Sequence, residues 1–173
     1  MTSLFNGSSD YIPANLEKLD MIAILESKEI FDSLMQSFPT TLGKAVSKKE
    51  REDLKLKDPN LVYGEITFET FGIIIEKIRK IYGRPNEGSS GPQGYLQSRG
   101  GIFYDLGSGT GKPVIAAAIL HNFDVCYGIE YLEGLYTLSL EAENAYNSRG
   151  KLKLASRTHE TRNKIHHHLS TVV

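Results

Sequence analysis

"FYDLGSGTGKPVIAAAIL", residues 103–120, sets an apolar run against an alanine-rich run and joins them through three alternating glycines, Gly107, Gly109 and Gly111. The first run has the length of a short buried strand. "KPVIAAAILHNF" continues as a helix with Pro113 in its first turn, where a missing N–H costs nothing. Downstream, "VCYGIE" reads as a second strand and "LEGLYTLSLEAENAYNSRG" as a second helix ending at Gly150. Strand, helix, strand, helix implies parallel strands joined by right-handed crossovers, and hence an α/β fold.

The glycine loop fails the two common nucleotide patterns. A phosphate-binding P-loop requires G-x-x-x-x-G-K-[ST], but Leu106 stands at the first glycine position and Pro113 at the hydroxyl position. A dinucleotide fingerprint requires G-x-G-x-x-G, and Lys112 stands where the third glycine belongs. What remains is a G-x-G-x-G loop preceded by an acid, Asp105, at the end of the strand. Its glycines let a ligand approach without meeting a Cβ, and the amides opening the next helix suit a carboxylate. Glu130 ends the second strand, where an acid can accept hydrogen bonds from both ribose hydroxyls. A ligand with a carboxylate, an amine and a ribose but no phosphate fits this set, and S-adenosylmethionine is such a ligand.

Asp105, the glycine loop and Glu130 resemble the first two motifs of class I S-adenosylmethionine-dependent methyltransferases. That resemblance implies that Asp105 receives the methionine amine, that Gly107, Ser108, Gly109 and Gly111 line the cofactor, and that Glu130 holds the ribose. "LVYGEITFETFGIIIEKI", residues 61–78, narrows the likeness. A V-Y-G-E stretch opening an amphipathic helix, followed by F-x-D-L-G-S-G and Y-G-I-E, resembles the disruptor-of-telomeric-silencing family of non-SET histone lysine methyltransferases. The resemblance adds Tyr63, Gly64 and Glu65 to the cofactor site and spans residues 61–150. Two positions depart from the family pattern: Ile66 replaces its threonine, and Lys112 replaces its glutamine.

The resemblance implies a nuclear enzyme that transfers methyl groups to histone H3 lysine within the nucleosome. Another protein, RNA or a small molecule remains an alternative substrate, and a noncatalytic S-adenosylmethionine-binding or interaction module an alternative role. No catalytic residue is identified by match. A class I domain has about seven strands and only two are evident, so an incomplete Rossmann-like domain from a longer methyltransferase is expected.

Around this centre the chain divides into an N-terminal helical and linker region (1–60), the cofactor half of a methyltransferase domain (61–150) and a basic, flexible tail (151–173). In the first region Leu16, Leu19, Ile22, Leu25, Phe31, Leu34, Met35 and Phe38 recur at helical steps and stop at Pro39. "SKKEREDLKLKDPN", 47–60, reads as a solvated linker or exposed helix. "TFETFGIIIEKIRKIYGRP" is a helix with Phe71, Ile74, Ile75, Ile78 and Ile81 on one stripe, and "RPNEGSSGPQGYLQSRGG" is a loop. His166, His167 and His168 are adjacent, so their side chains diverge and do not form a metal set.

With 173 residues, 40% hydrophobic, and a net charge of −1, the chain can build one core and has no global attraction for nucleic acid. No stretch reaches the roughly 18 apolar residues of a membrane span. The single cysteine, Cys126, excludes an internal disulfide and suits a core position on a strand inside the cell.

Overall fold

The computed structural model describes residues 18–82, 96, 99–154 and 164–169. Helices α1 (Lys18–Met35) and α2 (Thr40–Asp53) are followed by a 3-10 turn (Pro59–Leu61) and α3 (Phe68–Tyr82). Then come β1 (Ile102–Leu106), α4 (Lys112–Leu120), β2 (Val125–Glu130), α5 (Glu133–Leu154) and β3 (Lys164–Leu169). The strands form a parallel sheet in the order β1-β2-β3, with Tyr104 opposite Tyr127 and Tyr127 opposite His166. This is an α/β arrangement compatible with part of a Rossmann-like fold.

The third strand corrects the expected flexible tail over Lys164–Leu169, while 155–163 and 170–173 lie outside the described residues. "KIHHHL" carries little β-propensity, yet it pairs with β2 along its length and buries Ile165 to 3% exposure. Tertiary context overrides local preference here, because the edge of β2 otherwise leaves a row of N–H and C=O groups unpaired. The "KLKLA" stretch, by contrast, is helical over Lys151–Leu154, so α5 continues past Gly150.

α4 explains why the domain centre needs small residues. Val114, Ile115 and Ala117 have no exposure, because α4 packs on the sheet with one side and on α1, α3 and α5 with the others. The core joins these residues to Phe31, Phe38, Phe68, Phe123, Cys126 and Ala142. Cys126 is fully buried, and burial pushes its thiol up to about 12.

The N-terminal helices bury somewhat different stripes from those expected. On α1, Ile24, Phe31, Leu34 and Met35 face inward, whereas Ile22 and Leu25 are exposed. On α3 the buried positions are Phe68, Gly72 and Ile75, while Ile74 and Ile81 face out. The charge run belongs to α2 as far as Asp53, and Glu50 from this run caps α5 by accepting the Glu133 and Gly134 N–H groups at 2.7 and 2.8 Å. The N-terminal helices and the sheet layer therefore share one core. Among the described residues no helix is long and apolar enough to cross a membrane.

Candidate functional site

The glycine loop lies between the end of β1 and the start of α4, beside the end of β2. Gly107, Gly109 and Gly111 all take positive φ (+81°, +56° and +78°), a conformation a side chain would strain. The Gly107 and Ser108 N–H groups donate to the Ile129 carbonyl at 2.8 and 3.0 Å, which ties the loop to the adjacent strand.

Glu130 ties the loop to the start of α5. Its buried carboxylate accepts N–H bonds from Gly109 (2.7 Å), Tyr131 (2.8 Å) and Leu132 (2.9 Å). One oxygen takes two of these bonds and the other takes one, so a ribose hydroxyl would share a carboxylate already committed to the backbone.

Asp105 is in the opposite condition. Its Oδ2 is buried and has no hydrogen-bond partner. Burial, followed by the repulsion of Glu130, pushes its carboxyl above the ordinary range. Two acids at adjacent strand ends, one of them lacking a donor, make a place that is relieved by a cationic ligand and worsened by an anionic one.

The glycines divide their roles. A Cβ on Gly107 would meet nothing within 4 Å, so the backbone there is open to a ligand. A Cβ on Gly109 would lie 2.6 Å from the Tyr63 ring, and one on Gly111 would lie 2.6 Å from His167. Gly109 and Gly111 thus admit side chains of this protein. The Ser108 side chain turns beneath the loop, where its Oγ is buried without a partner, towards Gly128 and His167.

The V-Y-G-E turn docks on this loop. The Tyr63 ring is held between Gly109 and Gly43 of α2, and its hydroxyl bonds Glu65 and Thr110. Glu65 also accepts from Thr40, and from Lys112 at 2.7 and 2.9 Å. Burial opposes ionisation of Glu65, but the bonds from Lys112, Thr40 and Tyr63 outweigh it and hold the carboxyl below its usual range. Burial and the Glu65 bond raise the Tyr63 phenol. Glu65 and Lys112 line a groove of about 530 Å3 together with Phe31, Phe38 and Phe68. Gly64 is exposed, with open space where a Cβ would stand.

The structure therefore gathers Tyr63, Glu65, Asp105, Ser108, Gly109, Gly111 and Glu130 around one loop, with Gly107 and Gly64 open beside them. Lys112, Thr40, Thr110 and His167 also belong to this cluster, and of these sequence reasoning had set only Lys112 beside the loop. Lys112 had a signal, since a cation stands where the resembled family has an amide. Thr40 and His167 had none, because only the tertiary fold brings them in. No family model matches the chain, and comparison with the curated proteins finds no match.

Proposed function

We propose that this chain carries the cofactor-binding part of an S-adenosylmethionine-dependent protein lysine methyltransferase of the disruptor-of-telomeric-silencing type, acting on histone in the nucleus. The observation that carries the reading is the buried, unpartnered Oδ2 of Asp105 beside Glu130 and the open backbone of Gly107. A triphosphate or a dinucleotide would bring negative charge to two carboxylates. S-adenosylmethionine brings an ammonium and a sulfonium, and its amine supplies the donor that Asp105 Oδ2 lacks.

The residues present fit the cofactor in this way. Asp105 would receive the amine, Gly107 would admit the ligand against the backbone, and the free acceptor site on Glu130 would take a ribose hydroxyl. The Glu65–Lys112 pair offers both charges next to the loop and would orient the amino-acid end. When bound, S-adenosylmethionine supplies an electrophilic methyl group for transfer to a neutral amine. The contribution of these side chains is positional, since they fix the cofactor by contacts made before any reaction.

A noncatalytic cofactor-binding module is the second reading. It is favoured by the three-stranded sheet, because among the described residues no strand lies beyond β1 to face a substrate.

Calorimetric titration of the chain with S-adenosylmethionine, ATP and NAD tests the proposal. Saturable binding of S-adenosylmethionine alone is expected. Binding of ATP or NAD instead, or no binding by a chain that circular dichroism shows folded, would overturn it. Methyl transfer to nucleosomes by a chain that binds the cofactor then separates the first reading from the second.

A further inference from the structure

The helices pack on the sheet face that carries Phe103, Cys126 and Ile165, and among the described residues nothing packs on the other face. The pairing register makes that open face a grid of three rows across the strands. Ile102, Val125 and Lys164 form one row, Tyr104, Tyr127 and His166 the next, and Leu106, Ile129 and His168 the last. The middle row is a pile of rings. Tyr104 and Tyr127 stack with centroids 5.0 Å apart and planes 18° apart, and Tyr127 stacks on His166 at 5.7 Å and 28°. His168 adds a ring 5.7 Å from Tyr127. Tyr104 ends the pile on the edge strand and is 58% exposed, so one of its π-faces is open.

The nine positions of the grid hold one lysine, two imidazoles and no carboxylate. Glu143 of α5 is within electrostatic reach of His166. Open rings beside a lysine and two imidazole N–H donors suit a ligand made of aromatic planes on an anionic backbone. We propose that this face binds single-stranded nucleic acid, with a base continuing the ring pile at Tyr104 and the phosphates lying towards Lys164, His166 and His168.

The chemistry of the face favours this partner over a second copy of the chain, because an exposed ring pile beside a lysine offers stacking for bases and a cation for phosphates. The proposal does not depend on the methyl-transfer reading, since no residue of the grid belongs to the cofactor site.

The test is fluorescence anisotropy of the whole chain with a fluorescein-labelled oligouridylate of about 12 nucleotides, the matching oligothymidylate, and a duplex of the same length. Saturable binding of the single strands, weakened by salt and stronger than duplex binding, is expected. The Tyr104→Phe variant should bind within about twofold of wild type, and Tyr104→Ala about tenfold or more weakly. Both replace an exposed side chain, and circular dichroism checks that they fold; His168→Ala provides an independent loss of binding. Absence of saturable binding would overturn the proposal, as would full affinity in Tyr104→Ala and His168→Ala, or preference for the duplex. A dimer by sedimentation that Tyr104→Ala dissociates, without oligonucleotide binding, would assign the face to a second copy instead.

Discussion

Asp105 and Glu130 show how two acids at neighbouring strand ends acquire different work from their surroundings. Glu130 is satisfied by three backbone N–H groups, so Glu130→Ala leaves the buried Gly109 and Leu132 donors unmet as well as the part-buried one of Tyr131. Each costs about 1–3 kcal/mol, and the variant should lose both several degrees of melting temperature and cofactor affinity. Asp105→Asn removes no bond of the Oδ2 atom, so it should keep or raise the melting temperature while losing most S-adenosylmethionine binding. Thermal melts and calorimetry on the two variants check this separation; equal affinity in Asp105→Asn would remove that residue from the site. The pH dependence has a matching sign. Because the Asp105 carboxyl is pushed above the ordinary range, ligand binding should weaken as pH falls through that raised value, before ordinary carboxylates titrate.

At the level of elements, the V-Y-G-E turn, α2 and the glycine loop meet in the Thr40–Glu65–Lys112 cluster. Lys112→Met leaves the partly buried Glu65 carboxylate without its cation. In wild type Glu65 is held below its usual range, so its contribution to stability is present above about pH 4.5 and lost as pH falls below it. In Lys112→Met the onset of acid unfolding should therefore move to higher pH, measured by circular dichroism across an acid titration. The V-Y-G-E turn was legible in the sequence as a neighbour of the glycine loop, and β1, α4 and β2 were legible from their apolar runs and glycine punctuation. The capping of α5 by Glu50 was not, because its two donors lie 83 and 84 residues away and only the packing of α2 on α5 brings them within reach. β3 was hidden for a similar reason. A run of three histidines has no strand signature until the edge of β2 selects it, turning His167 inward and His166 and His168 outward.

Across the whole molecule, β3 closes the sheet and also supports the loop from below. His167 lies against Gly111 and Gly128, and burial, followed by His168 and His166, lowers its imidazole to about 4. The folded state thus holds this ring neutral while the unfolded chain protonates near 6.5. Stability from the buried neutral ring is complete above about pH 6.5 and declines as pH falls towards 4. The same strand carries Ile165, which packs in the core cluster that also holds Cys126. Cys126 is the only cysteine in the chain, is fully buried, and has a thiol pushed up to about 12, so a thiol reagent can reach it only when the structure opens. Ile165→Ala should cost about 2 kcal/mol or more through lost burial and a cavity. If β3 opens together with the rest of the sheet, that loss raises the open population about thirtyfold, and Cys126 labelling at neutral pH should accelerate by the same factor. Labelling at the wild-type rate, with a lowered melting temperature, would show that β3 opens separately from β2. The support of the loop by His167 would then be local to the strand rather than part of the cooperative fold.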